Sequence, residues 1–402
     1  MRKLKLSKRF FINALFTIFI ISGIIKSIFF YIGVPRFIDV TAISALMILC
    51  DIVYVTIKKK GKILINNKQL VYTFLIIFFQ CVVFISLFYT ASTGFGYYKS
   101  LLLILNIIAF IYPIFRKEIT IESFFSLLYN IIIPFSVFII FLNFVRWTPY
   151  KTLINIERAD EIRGHYLTIG MFLGLIAYYN ICFRNQLKSN FDLKVVLPIF
   201  LLVISSARGP LIFFIITMLL FFLFKIKSLK LRIRNTNLVF GGIIALVIFA
   251  TPLRNLFFNL FQRTFNRFYV MFNSDSGGAS ISGRLDFLSF SFDSITEGPI
   301  RLLFGSGIGS FMFLYTGNDG RGYPHNILIE SLFELGVLGF LILSSFLFFI
   351  FFYKTKKVTS KLILIFLILC YSKTGGLEDI RIIYGMYALY LSSLYSPKVI
   401  EL

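Results

Sequence analysis

Apolar residues in this chain come in long runs, not at the alternating or one-faced spacing of a water-soluble fold. Runs of membrane-spanning length fall at about 10–31, 37–57, 70–89, 101–115, 124–145 and 165–183. Residues 193–224 are too long for one span and short for two, and Ser205-Ser206-Ala207-Arg208-Gly209-Pro210 interrupts them. Further runs lie at about 238–252, 326–353, 362–371 and 382–396. The pattern predicts an all-α fold, a polytopic membrane bundle of about 12 helices. Residues 1–402 are expected to pack as a single transmembrane domain, with a large outer loop at 253–324.

Composition agrees. The chain is 58% hydrophobic, with 52 phenylalanines and a mean hydropathy of +0.86. The net charge of +23 would point to nucleic acid in a soluble protein. Here the charge follows from basic cytoplasmic loops instead, so no nucleic-acid partner is expected. The basic start MRKLKLSKR precedes some twenty apolar residues without a small-residue cleavage site, and is expected to lead an uncleaved first span. Cys50, Cys81, Cys182 and Cys370 all fall inside apolar runs, without metal-ligand spacing, and are read as buried thiols.

Loop charge decides the ambiguous stretch. If the chain breaks at Arg208 into two short helices, 25 of the 41 lysines and arginines fall on the cytoplasmic side and 15 outside, with Lys26 inside a span. An unbroken helix would turn the basic run KIKSLKLRIR outward, against the positive-inside rule. Pro210 suits the first turn of a new helix, where its missing N–H costs nothing. Arg208 is thus expected at a helix junction on the outer face. Two outer loops follow from this topology, 146–164 and 253–324. The larger begins with Phe257, Phe261, Phe265, Phe268 and Phe272 at helical spacing, as in an interfacial helix. Its polar stretch 273–283 reads as flexible, GRLDFL as a short helix, and FGSGIGS as a turn.

Polar groups in and beside the apolar runs carry the candidate chemistry, because ionisable groups in a membrane are costly. YPHNILIESLFELGVLGF places His325 and Asn326 at the head of an apolar helix, with Glu330 and Glu334 inside it. His325 is one of two histidines. It is either a polar helix cap or a general base. Glu330 either orients His325 or accepts a sugar hydroxyl, or it pairs with an arginine or lysine of a neighbouring helix. Outward-facing Arg163, Arg208, Arg284 and Arg321 offer fork-shaped donors for phosphate oxygens. Arg146, Arg158, Arg254, Arg263 and Arg267 read as anchors at helix ends or headgroups, and His165 as structural. FGSGIGS lacks the Lys-Ser/Thr of a phosphate loop. Asp286 and Asp293 are weak metal candidates, and no metal site is assigned.

Taken in order, S-S-A-R-G, S-G-R-L-D-F-L, F-G-S-G-I-G-S-F and P-H-N-I-L-I-E-S-L-F-E-L-G-V-L-G resemble the O-antigen polymerase and O-antigen ligase superfamily. The likeness covers about residues 193–353, while the first five spans match only in being hydrophobic. It implies a GT-C-like membrane glycosyltransferase with a large periplasmic loop in the bacterial inner membrane. Its substrate would be an undecaprenyl-diphosphate-linked oligosaccharide held among membrane lipid. The resemblance carries the catalytic assignment to His325, Arg208 and Arg284. It carries substrate binding to Glu330 and, as a weaker fit, to Arg163; Arg321 and Asn326 are assigned to substrate binding from their places four residues before and one after His325.

The implied reaction is an inverting, metal-independent glycosyl transfer needing no cofactor. A polymerase for O-antigen or capsule is favoured, on the Lys/Ile/Phe/Asn-rich composition resembling AT-rich polysaccharide clusters. A ligase acting on lipid A–core is the alternative within the superfamily. A non-catalytic transporter of lipid-linked sugars is the alternative outside it, though no inverted repeat is evident. A chain-length regulator and a flippase are the protein partners that a polymerase implies.

Overall fold

Backbone amides in hydrocarbon must be satisfied within the chain, which favours helices. In the computed structural model, helix is the only extended regular structure among the described residues, which are 2–35, 38–60, 65–145, 164–182, 193–205, 207–225, 262, 279–353 and 358–394. Contacts divide the chain into two compact units. One comprises Met1–Leu127, Gly283–Thr355 and Tyr371–Leu402, the other Leu128–Ser282 and Lys356–Cys370.

The first unit opens with α1 (Arg2–Ile20) and α2 (Ser22–Tyr31). Residues 10–31, expected to be one span, are these two helices bent by 79° between Ile20 and Ser22. Then come α3 (Val40–Lys58), α4 (Asn67–Ser86) and α5 (Thr93–Phe115), while α6 (Ile121–Val145) runs from the first unit into the second. Asp39 caps α3 by accepting from the Thr41 and Ala42 amides, and pairs with Lys26 at 2.7 Å. Asn66 and Gln69 form a reciprocal capping box on α4. α5 begins eight residues before the expected run at 101, so Lys99, expected in the outer loop, lies inside the helix.

In the second unit, α7 (Tyr166–Cys182) packs against α8 (Leu193–Ile204) and α9 (Arg208–Lys225). The predicted break is present: α8 stops at Ile204 and α9 starts at Arg208, with Pro210 in its first turn. Small residues bring these helices together. A Cβ on Gly170 would lie 2.4 Å from that of Ala207. The predicted run 238–252 lies outside the described residues, as do 146–163 and, apart from Gln262, the expected interfacial helix over 257–272.

α10 (Ala279–Thr296), whose residues belong to the first unit from Gly283 onward, absorbs GRLDFL and the end of the stretch expected to be flexible, since 279–283 are already helical. Two single-and-a-half-turn helices follow, α11 (Pro299–Phe304) and α12 (Phe311–Thr316), joined by the predicted turn Gly305–Ser310. The long α13 (Ile327–Phe352) is capped by Asn326, whose side chain accepts from the Leu328 and Ile329 amides. α14 (Val358–Thr374), which belongs to the second unit up to Cys370, is followed in the first unit by a 3₁₀ turn (Leu377–Asp379) and α15 (Arg381–Leu394). Among the described residues, five helices are long and apolar enough to span a membrane, six if the bent pair counts, and α7, α8 and α9 are shorter apolar helices.

α13 is not continuous. Gly336 sits at φ 66°, ψ −168°, which frees carbonyls above it. The Ser306 and Gly307 amides donate to the Phe333 and Glu334 carbonyls at 2.8 and 2.9 Å. The glycine-rich turn thus completes the hydrogen bonding of the broken helix, as buried backbone requires. It reaches roughly 14 Å down α13 from the helix head, at 1.5 Å per residue. Contact is backbone to backbone: a Cβ on Gly336 would lie 2.3 Å from the Leu303 carbonyl oxygen, and one on Gly305 2.5 Å from the Gly336 nitrogen. Gly336→Ala adds both a clash and a left-handed strain of about 1–3 kcal/mol. Its thermal midpoint in detergent is expected to fall clearly below wild type, and an equal midpoint would contradict the close approach.

Candidate functional site

An aromatic cluster brings the site together. Ile295, Phe311 and Phe333 form a buried core on which Phe287, Phe290, Leu314 and Leu332 pack, tying α10 and α12 to α13. Phe287 sits between Phe311 and Tyr315, with ring centroids at 5.4 and 4.9 Å. Its own ring lies nearly parallel to His325 at 5.9 Å, with an 18° interplanar angle. Tyr323 meets His325 edge-on at 4.9 Å. Phe287 stands one helical turn beyond Arg284 on α10, so stacking His325 on it sets the imidazole beside that guanidinium.

His325 adopts φ 58°, a left-handed conformation uncommon outside glycine. The ring is half-buried. Burial holds its pKa below the ordinary imidazole value, and the Arg284 charge lowers it further. Both favour the neutral ring, which can accept a proton. Among the described residues Arg284 has no carboxylate partner, so its charge remains available to an anion.

Below the helix head lies an interaction that the spacing of apolar runs conceals. Lys99 of α5 points between Glu330 and Glu334 of α13. Its Nζ lies 2.5 Å from Glu330 Oε1 and 2.7 Å from each Glu334 oxygen. The lysine side chain is 1% exposed and both glutamates 0%. The other Glu330 oxygen accepts the Leu377 amide at 2.9 Å, and Glu334 accepts from the Gly309 amide. Of the alternatives open for Glu330, the ion pair with a neighbouring helix is the one formed. The carboxylate is fully buried, and what it holds directly is Lys99 and the 3₁₀ turn. Asn326, expected to bind substrate, spends its side-chain oxygen on capping α13 and remains half-buried.

Arg321 stays 63% exposed and pairs with Glu378 of the 3₁₀ turn at 2.6 Å. Asp379, 43% exposed, lies 3.9 Å from Arg321 and 3.3 Å from the buried Arg381. Arg208 is the first residue of α9 and belongs to the second unit. Arg163 lies outside the described residues. Among the sequence candidates, the first unit therefore gathers His325, Arg284, Arg321, Asn326 and Glu330. Sequence reasoning missed Lys99, Phe287, Glu378 and Asp379. Two glutamates four residues apart in an apolar helix demand a cation, and that demand was the available signal for Lys99. The acidic pair sits between two apolar runs and carries no comparable signal.

The model of the family described as O-antigen ligase matches residues 193–344, from the start of α8 to beyond the kink of α13. His325, Arg208 and Arg284 fall within that region, whereas Lys99, Glu378 and Asp379 fall outside it. No curated protein matches the chain.

Lys99→Met strands two buried carboxylates and is expected to cost about 3–5 kcal/mol, seen as a lowered thermal midpoint. Adding Glu330→Gln and Glu334→Gln removes both charges and is expected to recover most of the loss; no recovery would mean that the ammonium acts through other groups. In a His165→Gln background, the NMR titration of His325 is expected below the ordinary imidazole midpoint. Arg284→Gln should move it upward, because a nearby positive charge no longer opposes protonation. A midpoint that does not move would remove Arg284 from the imidazole's surroundings.

Proposed function

With residues 193–344 matching the O-antigen ligase family, we propose that this multi-pass membrane protein transfers a saccharide from a polyprenyl diphosphate to a hydroxyl acceptor. The observation that carries the reading is the neutral-favouring imidazole of His325 beside the guanidinium of Arg284, which has no carboxylate partner among the described residues. In the proposed reaction the acceptor oxygen attacks the anomeric carbon while His325 takes its proton. The bond from that carbon to the diphosphate breaks, and the lipid diphosphate leaves with the electron pair. Arg284 binds the diphosphate and stabilises the charge that builds on it. Arg208, the first residue of α9, is proposed for diphosphate binding by the family resemblance alone. One direct displacement inverts the anomeric centre, and a diphosphate leaving group needs no metal for departure.

The donor is read as undecaprenyl-diphosphate-linked glycan and the site as periplasmic, by the distribution of basic loops. A second lipid-linked repeat unit is the proposed acceptor, making the protein a polymerase. The ligase reading, transfer to lipid A–core, is favoured by the description of the matched family.

Deletion of the gene, followed by electrophoresis of surface polysaccharide, separates the two. Single repeat units on core indicate a polymerase, and bare core with accumulated lipid-linked polymer indicates a ligase. His325→Ala is expected to lower transfer by about 10²–10⁴-fold, and Arg284→Ala or Arg208→Ala by about 10²–10³-fold, with each protein still folded. Full activity in all three would sink the assignment. Wild-type transfer is expected to fail as pH drops through the His325 midpoint, where the base becomes protonated. It is expected to persist in EDTA.

A further inference from the structure

One charged cluster beside His325 is unused by this chemistry. Arg321, Glu378, Asp379 and Arg381 form a chain of ion pairs on the rim of the first unit, with spacings of 2.6, 3.9 and 3.3 Å. Its signs balance, two cations against two carboxylates, unlike Arg284, which has no carboxylate partner among the described residues. A balanced cluster repels no neutral molecule and holds a phosphate poorly, because the carboxylates oppose it. It offers fork-shaped donors and carboxylate acceptors side by side, the combination that a polyhydroxyl ligand satisfies.

The cluster is built before any ligand arrives. Leu377 donates to Glu330, Asn106 Nδ2 to the Glu378 carbonyl at 2.7 Å, and Tyr371 to the Asp379 carbonyl at 2.8 Å. Three partners thus pin the 3₁₀ turn, while the Arg321 and Asp379 side chains stay 63% and 43% exposed. Glu378 is almost wholly buried and holds Arg321 in place. Tyr323 bridges the cluster to the reaction centre: its ring meets His325 at 4.9 Å between centroids, and a Cβ on Gly376 would lie 3.3 Å from it. An aromatic face beside fixed polar groups suits a sugar ring, which has both C–H and O–H faces.

Resting on the glycosyl-transfer reading above, we propose that Arg321, Asp379 and Tyr323, held by Glu378, form a saccharide-hydroxyl subsite that seats the acceptor glycan against His325. Glu378 and Asp379 lie outside the family-matched region, while Arg321 and Tyr323 lie within it, so acceptor choice would be written partly outside the stretch that holds the diphosphate-binding residues.

Two probes test this on the purified full-length protein. Short oligosaccharides from partial acid hydrolysis of the cell's own surface polysaccharide carry no diphosphate, so they can act only as acceptors. Undecaprenyl diphosphate without sugar reports the anion site alone. Asp379→Asn keeps shape at an exposed position, and is expected to weaken oligosaccharide binding by about tenfold, the size of one charge-assisted hydrogen bond. Undecaprenyl diphosphate binding should be unchanged in that variant. Arg321→Gln should act in the same direction, and Arg284→Gln should show the reverse selectivity. Equal oligosaccharide affinity in Asp379→Asn and wild type would make the cluster purely structural and overturn the proposal. So would undetectable oligosaccharide binding by wild type, or loss of undecaprenyl diphosphate affinity in Asp379→Asn. Undiminished diphosphate binding in Arg284→Gln would strike the transfer reading instead, leaving the glycan result to stand separately.

Discussion

A single ammonium, Lys99, held between Glu330 and Glu334, organises one end of the first unit. Charges buried this deeply persist only when paired and hydrogen-bonded. Each carboxylate also accepts a backbone amide, from Leu377 and from Gly309. The pairing therefore ties four chain segments together: α5, α13, the glycine-rich turn and the 3₁₀ turn. The kink at Gly336 belongs to the same assembly, since the carbonyls it releases are taken up by the turn that Glu334 holds. Helix break, turn and ion pair satisfy one another's polar groups.

On this support the exposed chemistry divides by charge balance. Arg284 stands near His325 without a carboxylate among the described residues, a situation suited to an anion. Arg321 stands four residues from His325 with its charge matched by Glu378, a situation suited to a neutral, hydroxyl-rich ligand. Aromatic packing sets the distance between the two. Phe287 carries the imidazole on the Arg284 side, and Tyr323 carries it on the Arg321 side. Glu330 serves both indirectly, through the turn it anchors.

Apolar run length located most helices to within a few residues, because hydrocarbon leaves the backbone little choice but helix. It failed at Ile21, where the Ser22-Gly23 pair marks a bend without ending the apolar run, and where a lysine interrupts a run. α5 was read as starting after Lys99 because an isolated cation looks like a boundary. Its cost is repaid by Glu330 and Glu334, more than 200 residues away in sequence. The break at Arg208 was legible, since loop charge and Pro210 both act locally. The stretch 279–283 looked flexible from its glycine and serine content, yet it is helical, since composition alone does not show where α10 begins.

Sequence by itself determined the class of fold, the helix junction at Arg208, the turn at FGSGIGS and the residues His325 and Arg284 as the groups to watch. Each is a local consequence of hydropathy, charge asymmetry or backbone freedom. Only the tertiary structure decided which alternative Glu330 takes, that Arg284 sits beside His325, and that Arg321 is balanced by Glu378 and Asp379. Those are pairings between charges and rings far apart in the chain, and a linear pattern holds no record of distance in space.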